Sequence, residues 1–348
     1  MCGIAGLMAA GSAEADLGTL DRMIAALRHR GPDGEGSYAA RNVALGQTRL
    51  AIIDLETGNQ PLYEPGGAVL VANGEIYNYI ELQDELGPEG FATGSDCEPP
   101  LHLYRRYGLD FVDHLRGMYA IALYDPIEGQ LVLARDPFGI KPLYYAQTSA
   151  GFAFASEPQA LIAAGLVLPK VNAEARAELF QLQFTTGAGT VFEGISRVLP
   201  GESVVVRDGR VVARRRRVAL PTEGEASWSE SEALERLDAA LRGSVDVHQR
   251  SDVPYGMFLS GGVDSSVLLA LMADLNEQPV HAFTAGFLGT SVGDERAHAR
   301  AVADAAGAKT VDIAIGAEDF WRDLPRIAGA MDDPTADYAI VPTFLLAE

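Results

Sequence analysis

The sequence predicts an α+β layered domain followed by a parallel α/β domain. Roughly the first 200 of its 348 residues alternate short strand-like runs with a few helices. A strand, a loop, a helix and a second strand then follow over 255–287, the pattern with which a parallel sheet begins. The length itself suggests two domains.

Residues 4–8 (Ile-Ala-Gly-Leu-Met) read as a buried strand. Leu17, Leu20, Met23, Ile24 and Leu27 recur at helical spacing, and Gly31-Pro32 ends that helix. Strand-like runs follow at 43–54, 68–73, 118–125, 130–135, 143–147 and 152–156. Over 203–214, Asp208-Gly209 joins two valine-rich arms, a hairpin signal. The first domain is expected over 2–213, a linker over 214–228 and the second domain over 229–348. Within the linker, the arginines at 214–217 read as a solvated strand end, and Pro221 to Trp228 has linker composition. Ser229 and Glu232 then form a capping box, with Leu234, Leu237 and Leu241 on one helical face.

Asp and Glu number 48 against 27 Lys and Arg, a formal net charge of −21. That balance opposes binding to nucleic acid or to anionic membranes, both of which need basic surface. No apolar run approaches the roughly 20 residues of a membrane span. Cys2 and Cys97 make no disulfide framework, which points to a reducing cytoplasm. Residues 1–13 are small and apolar, but they lack a basic start and Gly3, Gly6 and Gly11 interrupt them, so secretion is not expected. His29, His102 and His114 have no metal-ligand spacing, and no protein metal site is expected.

Cys2 follows the initiator methionine directly. Removal of Met1 would leave a thiol and a free α-amine on one residue. A free thiol ionises near ~8.5 and an α-amine near ~7.7–8.0, so the amine can be neutral and accept the thiol proton. That is one known way to activate a terminal nucleophile. Cys97, beside Asp96, reads as packing.

The string Leu259-Ser260-Gly261-Gly262-Val263-Asp264-Ser265-Ser266 lies between an apolar strand and an apolar-faced helix carrying Val267, Leu268, Leu271 and Leu275. Glycines let backbone amides close on an anion, and the helix N-terminus adds partial positive charge. This is a phosphate cradle without the Gly-Lys-Ser/Thr of a Walker A loop.

The string resembles the PP-loop of the ATP pyrophosphatases. Together with Cys2, it resembles the glutamine-hydrolysing asparagine synthetases. Further strings are similar to that family's N-terminal glutaminase, a class II amidotransferase: Arg28-His29-Arg30-Gly31-Pro32-Asp33-Gly34, Arg49-Leu50-Ala51-Ile52-Ile53-Asp54, Asn73-Gly74-Glu75-Ile76-Tyr77-Asn78, Gly94-Ser95-Asp96, and the run from Arg135 through Lys141 to Tyr145. The resemblance implies an N-terminal-nucleophile fold, an αββα sandwich, followed by a Rossmann-like ATP pyrophosphatase domain. It implies an ATP-dependent carbon–nitrogen ligase with glutamine as nitrogen donor.

Under this resemblance, Cys2 is the nucleophile, and the Asn73 side chain and Gly74 amide form the oxyanion hole. Arg49 pairs with the glutamine α-carboxylate, because a guanidinium fork matches a carboxylate. Glu75 and Asp96 take the α-ammonium, and Leu50 and Ile52 complete the glutamine site. Alone, Arg49 would read as a surface arginine, Asn73-Gly74 as a hairpin turn and Asp96 as a helix cap. The Arg28 loop would wall the pocket, and the Arg135 run would position strands. Leu259 and Ala285 would border adenine, while Ser260, Gly261, Gly262, Asp264 and Ser265 surround pyrophosphate. Mg²⁺ would enter with ATP, since developing phosphate charge must be neutralised. The implied partners are glutamine, ATP and aspartate or another carboxylate. A homodimer is compatible with the family.

The sequence departs from the family at its end, where a second Gly- and acid-rich loop and a helical remainder are expected and do not follow Glu348. These 348 residues are therefore expected to hydrolyse glutamine and to make little or no asparagine. Two other readings compete. One is an amidotransferase for another carboxylate in polysaccharide or natural-product synthesis. The other is a non-catalytic ATP-sensing or decoy piece, against which Cys2, Arg49, Asn73 and Asp96 argue.

Overall fold

The computed structural model describes residues 1–220, 227–289 and 294–348. They fall into two units: Met1–Glu223 with Asp332–Ala336, and Gly224–Met331 with Asp337–Glu348. In chain order, the first unit holds β1 (Gly3–Ala9), α1 (Leu17–Leu27), β2 (Gly34–Ala40), β3 (Val43–Arg49), β4 (Leu62–Tyr63), β5 (Val69–Ile76), α2 (Tyr79–Leu86), α3 (Pro99–Tyr107) and β6 (Gly117–Asp125). It continues through β7 (Gln130–Arg135), β8 (Tyr144–Thr148), β9 (Gly151–Ala155), α4 (Pro158–Ala163), α5 (Ala173–Leu182), β10 (Ser196–Arg197), β11 (Glu202–Arg207) and β12 (Arg210–Arg216).

These strands make two six-stranded sheets, β10-β8-β9-β1-β3-β2 and β12-β11-β7-β6-β5-β4. Side chains alternate across each strand, so the central strands serve two layers. Ile4, Met8 and Leu45 meet Val69, Val71 and Leu133 in the core between the sheets. The intervening Ala5 and Leu7 face outward to Leu20, Met23 and Leu27 of α1. On the other sheet, Leu70 and Ile121 face Leu82 of α2 and Leu101 of α3. Helix, sheet, sheet, helix is the αββα order that the resemblance implies. Register is firmly set, because a one-residue slip would exchange the two buried faces of a strand.

The hairpin forms as expected. Asp208 at φ 48° and Gly209 at φ 71° both adopt the positive φ of a type I′ turn. Two boundaries differ from expectation. The run at 43–54 leaves the sheet after Arg49, whose guanidinium donates to the carbonyls of Ile53 and Asp54 and folds 50–54 back as a loop. The linker does not start at 214: Arg214–Arg216 still pair with Glu202–Val204 in β12. Arg214 is held by Glu202 at 2.8 Å, and Arg215 by Asp110 and Asp113. Of the linker from Pro221 to Trp228, residues 221–226 lie outside the described residues.

The second unit holds α6 (Glu230–His248), β13 (Gly256–Phe258), α7 (Val263–Leu275), β14 (His281–Phe287), α8 (Arg296–Ala305), β15 (Lys309–Ile315), α9 (Ala317–Ala330) and α10 (Ile340–Ala347). Its strands form a parallel sheet, β13-β14-β15. Ser229 and Glu232 make the reciprocal capping box at the start of α6. The expected apolar faces are only partly buried. Leu234 and Leu237 of α6 are exposed, and that helix buries Val245 and Val247. In α7 the buried positions are Leu269 and Leu271, while Val267, Leu268 and Leu275 stay exposed. The apolar run of α7 is wider than the face that the sheet covers. Asp332–Ala336 interrupts the expected second domain and packs with the first unit, where Asp333 pairs with Arg197 at 2.6 Å and accepts from the Tyr144 hydroxyl at 2.7 Å. Among the described residues, no helix is long and apolar enough to cross a membrane.

Candidate active site

The sheet register brings the first site together. β1 and β3 are antiparallel with Gly3 opposite Thr48, so the residues just beyond, Cys2 and Arg49, lie at the same sheet end. The Leu50 amide donates to Cys2 Sγ at 3.3 Å, and Sγ lies 3.5 Å from the Leu50 carbonyl oxygen. Arg30 Nε donates to the Cys2 carbonyl at 3.0 Å, and Glu157 holds the Arg30 guanidinium at 2.5 Å. The Arg28 loop thus braces Cys2 from behind. Among the described residues, 28–34 supply no wall of the cavity, contrary to expectation.

The second sheet supplies the opposite wall. Asn73 and Gly74 sit inside β5, opposite Ala120 and Tyr119 of β6, and not in a hairpin turn. A Cβ at Gly74 would come within 2.9 Å of Tyr119 Cβ, so glycine permits the close packing that leaves this backbone at the cavity. Asn73 is 1% exposed, and its Nδ2 has no hydrogen-bond partner. A buried unpaired donor costs about 1–3 kcal/mol unless something accepts from it. Asp96 is no helix cap: its Oδ2 accepts the Ile76 amide at 2.8 Å, which ties its loop to β5.

Cys2, Arg49, Leu50, Ile52, Asn73, Gly74, Glu75 and Asp96 all line one cavity, with Met1, Cys97 and Lys141. Its accessible space is about 40 Å³, room for roughly one water while Met1 is in the wall. Burial raises the pKa of the Cys2 thiol, and the Leu50 amide partly opposes that rise. Burial also raises the pKa values of Glu75 and Asp96, and for Glu75 the charge of Asp96 adds to the rise. Burial lowers the pKa of the Met1 amine. Arg49 donates to Asn59 Oδ1 at 2.9 Å and to the Asp54 carbonyl at 2.5 Å, which fixes its guanidinium at the rim.

The second site lies at the carboxyl end of β13. Leu259 follows that strand, donates to the Phe283 carbonyl at 2.8 Å and accepts from Thr284 Oγ1 at 2.8 Å. Gly261 has φ +79°, a conformation that favours glycine. Ser260 Oγ lies 3.0 Å from Ser265 Oγ and accepts the Gly262 amide at 3.2 Å. Val263 begins α7, so Gly262, Asp264 and Ser265 surround a helix N-terminus. Ala285 lies on the neighbouring strand β14. Among the described residues, no group of three or more His, Cys, Asp or Glu could hold a metal. The loop's amides and hydroxyls fit phosphate oxygens, and Asp264 is the carboxylate there that could meet an ion carried by a nucleotide.

Comparison with known proteins follows the same division. A glutamine amidotransferase domain model matches residues 1–216, and an asparagine synthase model matches 236–348. Asparagine synthetase (glutamine-hydrolyzing) 1 of Bacillus subtilis is 37% identical, over 92% of this chain and 50% of that protein. A putative asparagine synthetase of Mycobacterium bovis is 36% identical, over 100% of this chain and 57% of that one. Putative asparagine synthetase 2 of Methanocaldococcus jannaschii is 30% identical, over 100% and 71%. The chain belongs to the glutamine-hydrolysing asparagine synthetase family. It spans about half the length of the first two of these relatives.

In this synthetase-family chain, Cys2, Arg49, Leu50, Ile52, Asn73, Gly74, Glu75 and Asp96 gather in one cavity without the Arg28 loop, and the residues expected at the nucleotide lie around one loop and its neighbouring strand. Sequence reasoning missed Lys141, which it treated as scaffolding within the Arg135 run. A lysine inside an otherwise apolar run, from Pro137 to Tyr145, was the available signal. Cys97, expected to pack, is buried and also lines the cavity.

Proposed function

We propose that this chain hydrolyses glutamine at Cys2, and that the whole protein transfers the ammonia to an ATP-activated aspartate β-carboxylate to form asparagine. One observation carries the proposal: the unpaired buried Asn73 Nδ2 lines a cavity with Cys2, Arg49, Glu75 and Asp96. Arg49 takes the substrate α-carboxylate, and Glu75 with Asp96 takes the α-ammonium. Loss of Met1 frees the Cys2 amine and removes part of the cavity wall, which makes room for glutamine. The amine accepts the thiol proton, and sulfur attacks the side-chain carbonyl carbon. Asn73 Nδ2 and the Gly74 amide donate to the resulting oxyanion; one such donor is typically worth roughly 2.7–4 kcal/mol. The amine passes that proton to the leaving nitrogen, and collapse releases ammonia and leaves a thioester on Cys2, which water cleaves to glutamate and the free thiol.

In the second unit, Ser260, Gly261, Gly262, Asp264 and Ser265 hold the nucleotide's pyrophosphate with its magnesium, and Leu259 and Ala285 border the adenine. The aspartate β-carboxylate attacks the α-phosphorus and expels pyrophosphate to give an acyl-adenylate, from which ammonia displaces AMP. The two free cysteines favour a reducing cytoplasm.

The test is glutamate release from glutamine without ATP, alongside an intact-mass measurement. Wild type should release glutamate and lack Met1; Cys2→Ala should release none. Glutamate release by Cys2→Ala, or an active enzyme that retains Met1, would overturn the assignment of Cys2.

A further inference from the structure

We infer that Lys141 is a positioning residue of the glutamine site, where its ammonium is a positive charge that keeps Cys2 reactive beside two carboxylates. The inference rests on the glutaminase reading above and adds a residue to it. Lys141 is 5% exposed and lines the cavity with Cys2, Glu75 and Asp96. Among the described residues, no hydrogen bond or ion pair reaches its ammonium. Burial lowers the pKa of Lys141, and the charges of Glu75 and Cys2 oppose that fall.

The surrounding groups say what it serves. The charged and titratable groups around Cys2 are Arg30, Arg49, Glu75, Asp96, Cys97 and the chain's amino end. The two arginines are already engaged. Arg30 is fixed on Glu157 and the Cys2 carbonyl, and Arg49 on Asn59 and the carbonyls of Ile53 and Asp54. The terminal amine favours ionisation of Cys2, Glu75 opposes it and Lys141 favours it; an amine that accepts the thiol proton must start neutral, which leaves Lys141 as the standing charge. Glu75, needed for the substrate ammonium, therefore works against the thiolate needed for attack, and Lys141 offsets it.

The backbone around Lys141 is fixed to a degree that suits this role. Its amide donates to Asp136 Oδ2 at 3.0 Å, and its carbonyl accepts from Arg135 Nε at 2.7 Å. Gly139, at φ +67°, turns the chain so that both anchors are reached within six residues. Arginine in place of lysine keeps the charge; methionine keeps much of the volume and removes it.

The experiment follows alkylation of Cys2 by iodoacetamide against pH, read on the N-terminal peptide by mass spectrometry, in wild type, Lys141→Met, Lys141→Gln and Lys141→Arg. Glutaminase kcat/KM is measured in parallel, and each variant's thermal unfolding checks that it is folded. Removing the charge should slow Cys2 alkylation at pH 7 by about tenfold. The deficit should shrink as pH rises and the thiol ionises unaided. Lys141→Arg should recover most of the rate, and kcat/KM should follow the same order. Alkylation profiles of the folded Met and Gln variants within twofold of wild type would overturn the inference. If wild type releases no glutamate, the glutaminase reading fails, while the alkylation profiles still decide the role of Lys141.

Discussion

At the scale of single residues, the site is a problem of charge placed without solvent. Glu75 and Asp96 share one buried cavity, and burial raises both of their pKa values. With the site empty, the pair holds a proton that two exposed carboxylates would have lost. A substrate ammonium favours the ionised form, so glutamine binding should expel that proton. The sign follows: affinity should strengthen as pH rises through the empty-site pKa values, by at most about tenfold per unit and proton. Calorimetric titration of glutamine into Cys2→Ala, in two buffers of different ionisation enthalpy, measures this directly. Proton uptake on binding would contradict the placement of the ammonium between these carboxylates.

At the scale of elements, the turn after β7 is where a sequence motif becomes a mechanical part. Asp136 is fully buried, and its carboxylate accepts from the amides of Tyr119, Phe138, Ile140 and Lys141. Arg135 closes the turn from the other side through the carbonyls of Gly139, Lys141 and Val198. Removing the carboxylate leaves several buried amides without an acceptor, each costing about 1–3 kcal/mol. Asp136→Ala should therefore destabilise the first unit by at least about 3 kcal/mol, measured by urea unfolding. A loss below about 1 kcal/mol would mean that water replaces the carboxylate and that the turn does not depend on it.

At the scale of the whole molecule, the two units differ in how much apolar surface each encloses. The first closes buried clusters between its sheets and on both outer faces. Among the described residues, the second has a cluster of six buried residues, while Val263 and Trp321 are 80% and 69% exposed. Burial contributes roughly 25 cal/mol per Å² of apolar surface, so protection against local opening should differ accordingly. In hydrogen exchange read by mass spectrometry, amides of β5, β6 and β7 should exchange at least about tenfold more slowly than those of β13 and β14. Equal protection would mean that the second unit gains stability from something other than its own core.

The sequence by itself determined the two-part architecture, the hairpin at Asp208-Gly209 and the capping box at Ser229, and its motifs named the residues around both candidate sites through their resemblance to a family. The first three are local matters of periodicity and turn chemistry. Only the tertiary structure decided where those residues stand. Asn73-Gly74 has the composition of a turn and lies in a strand, because β6 offers a ladder that the local preference cannot outweigh. Asp96 resembles a cap and instead binds the Ile76 amide, a partner 20 positions away in sequence. Lys141 was hidden for the same reason. No pattern along the chain states that its ammonium shares a cavity with Cys2, since that proximity arises only when two sheets pack and bring their ends together.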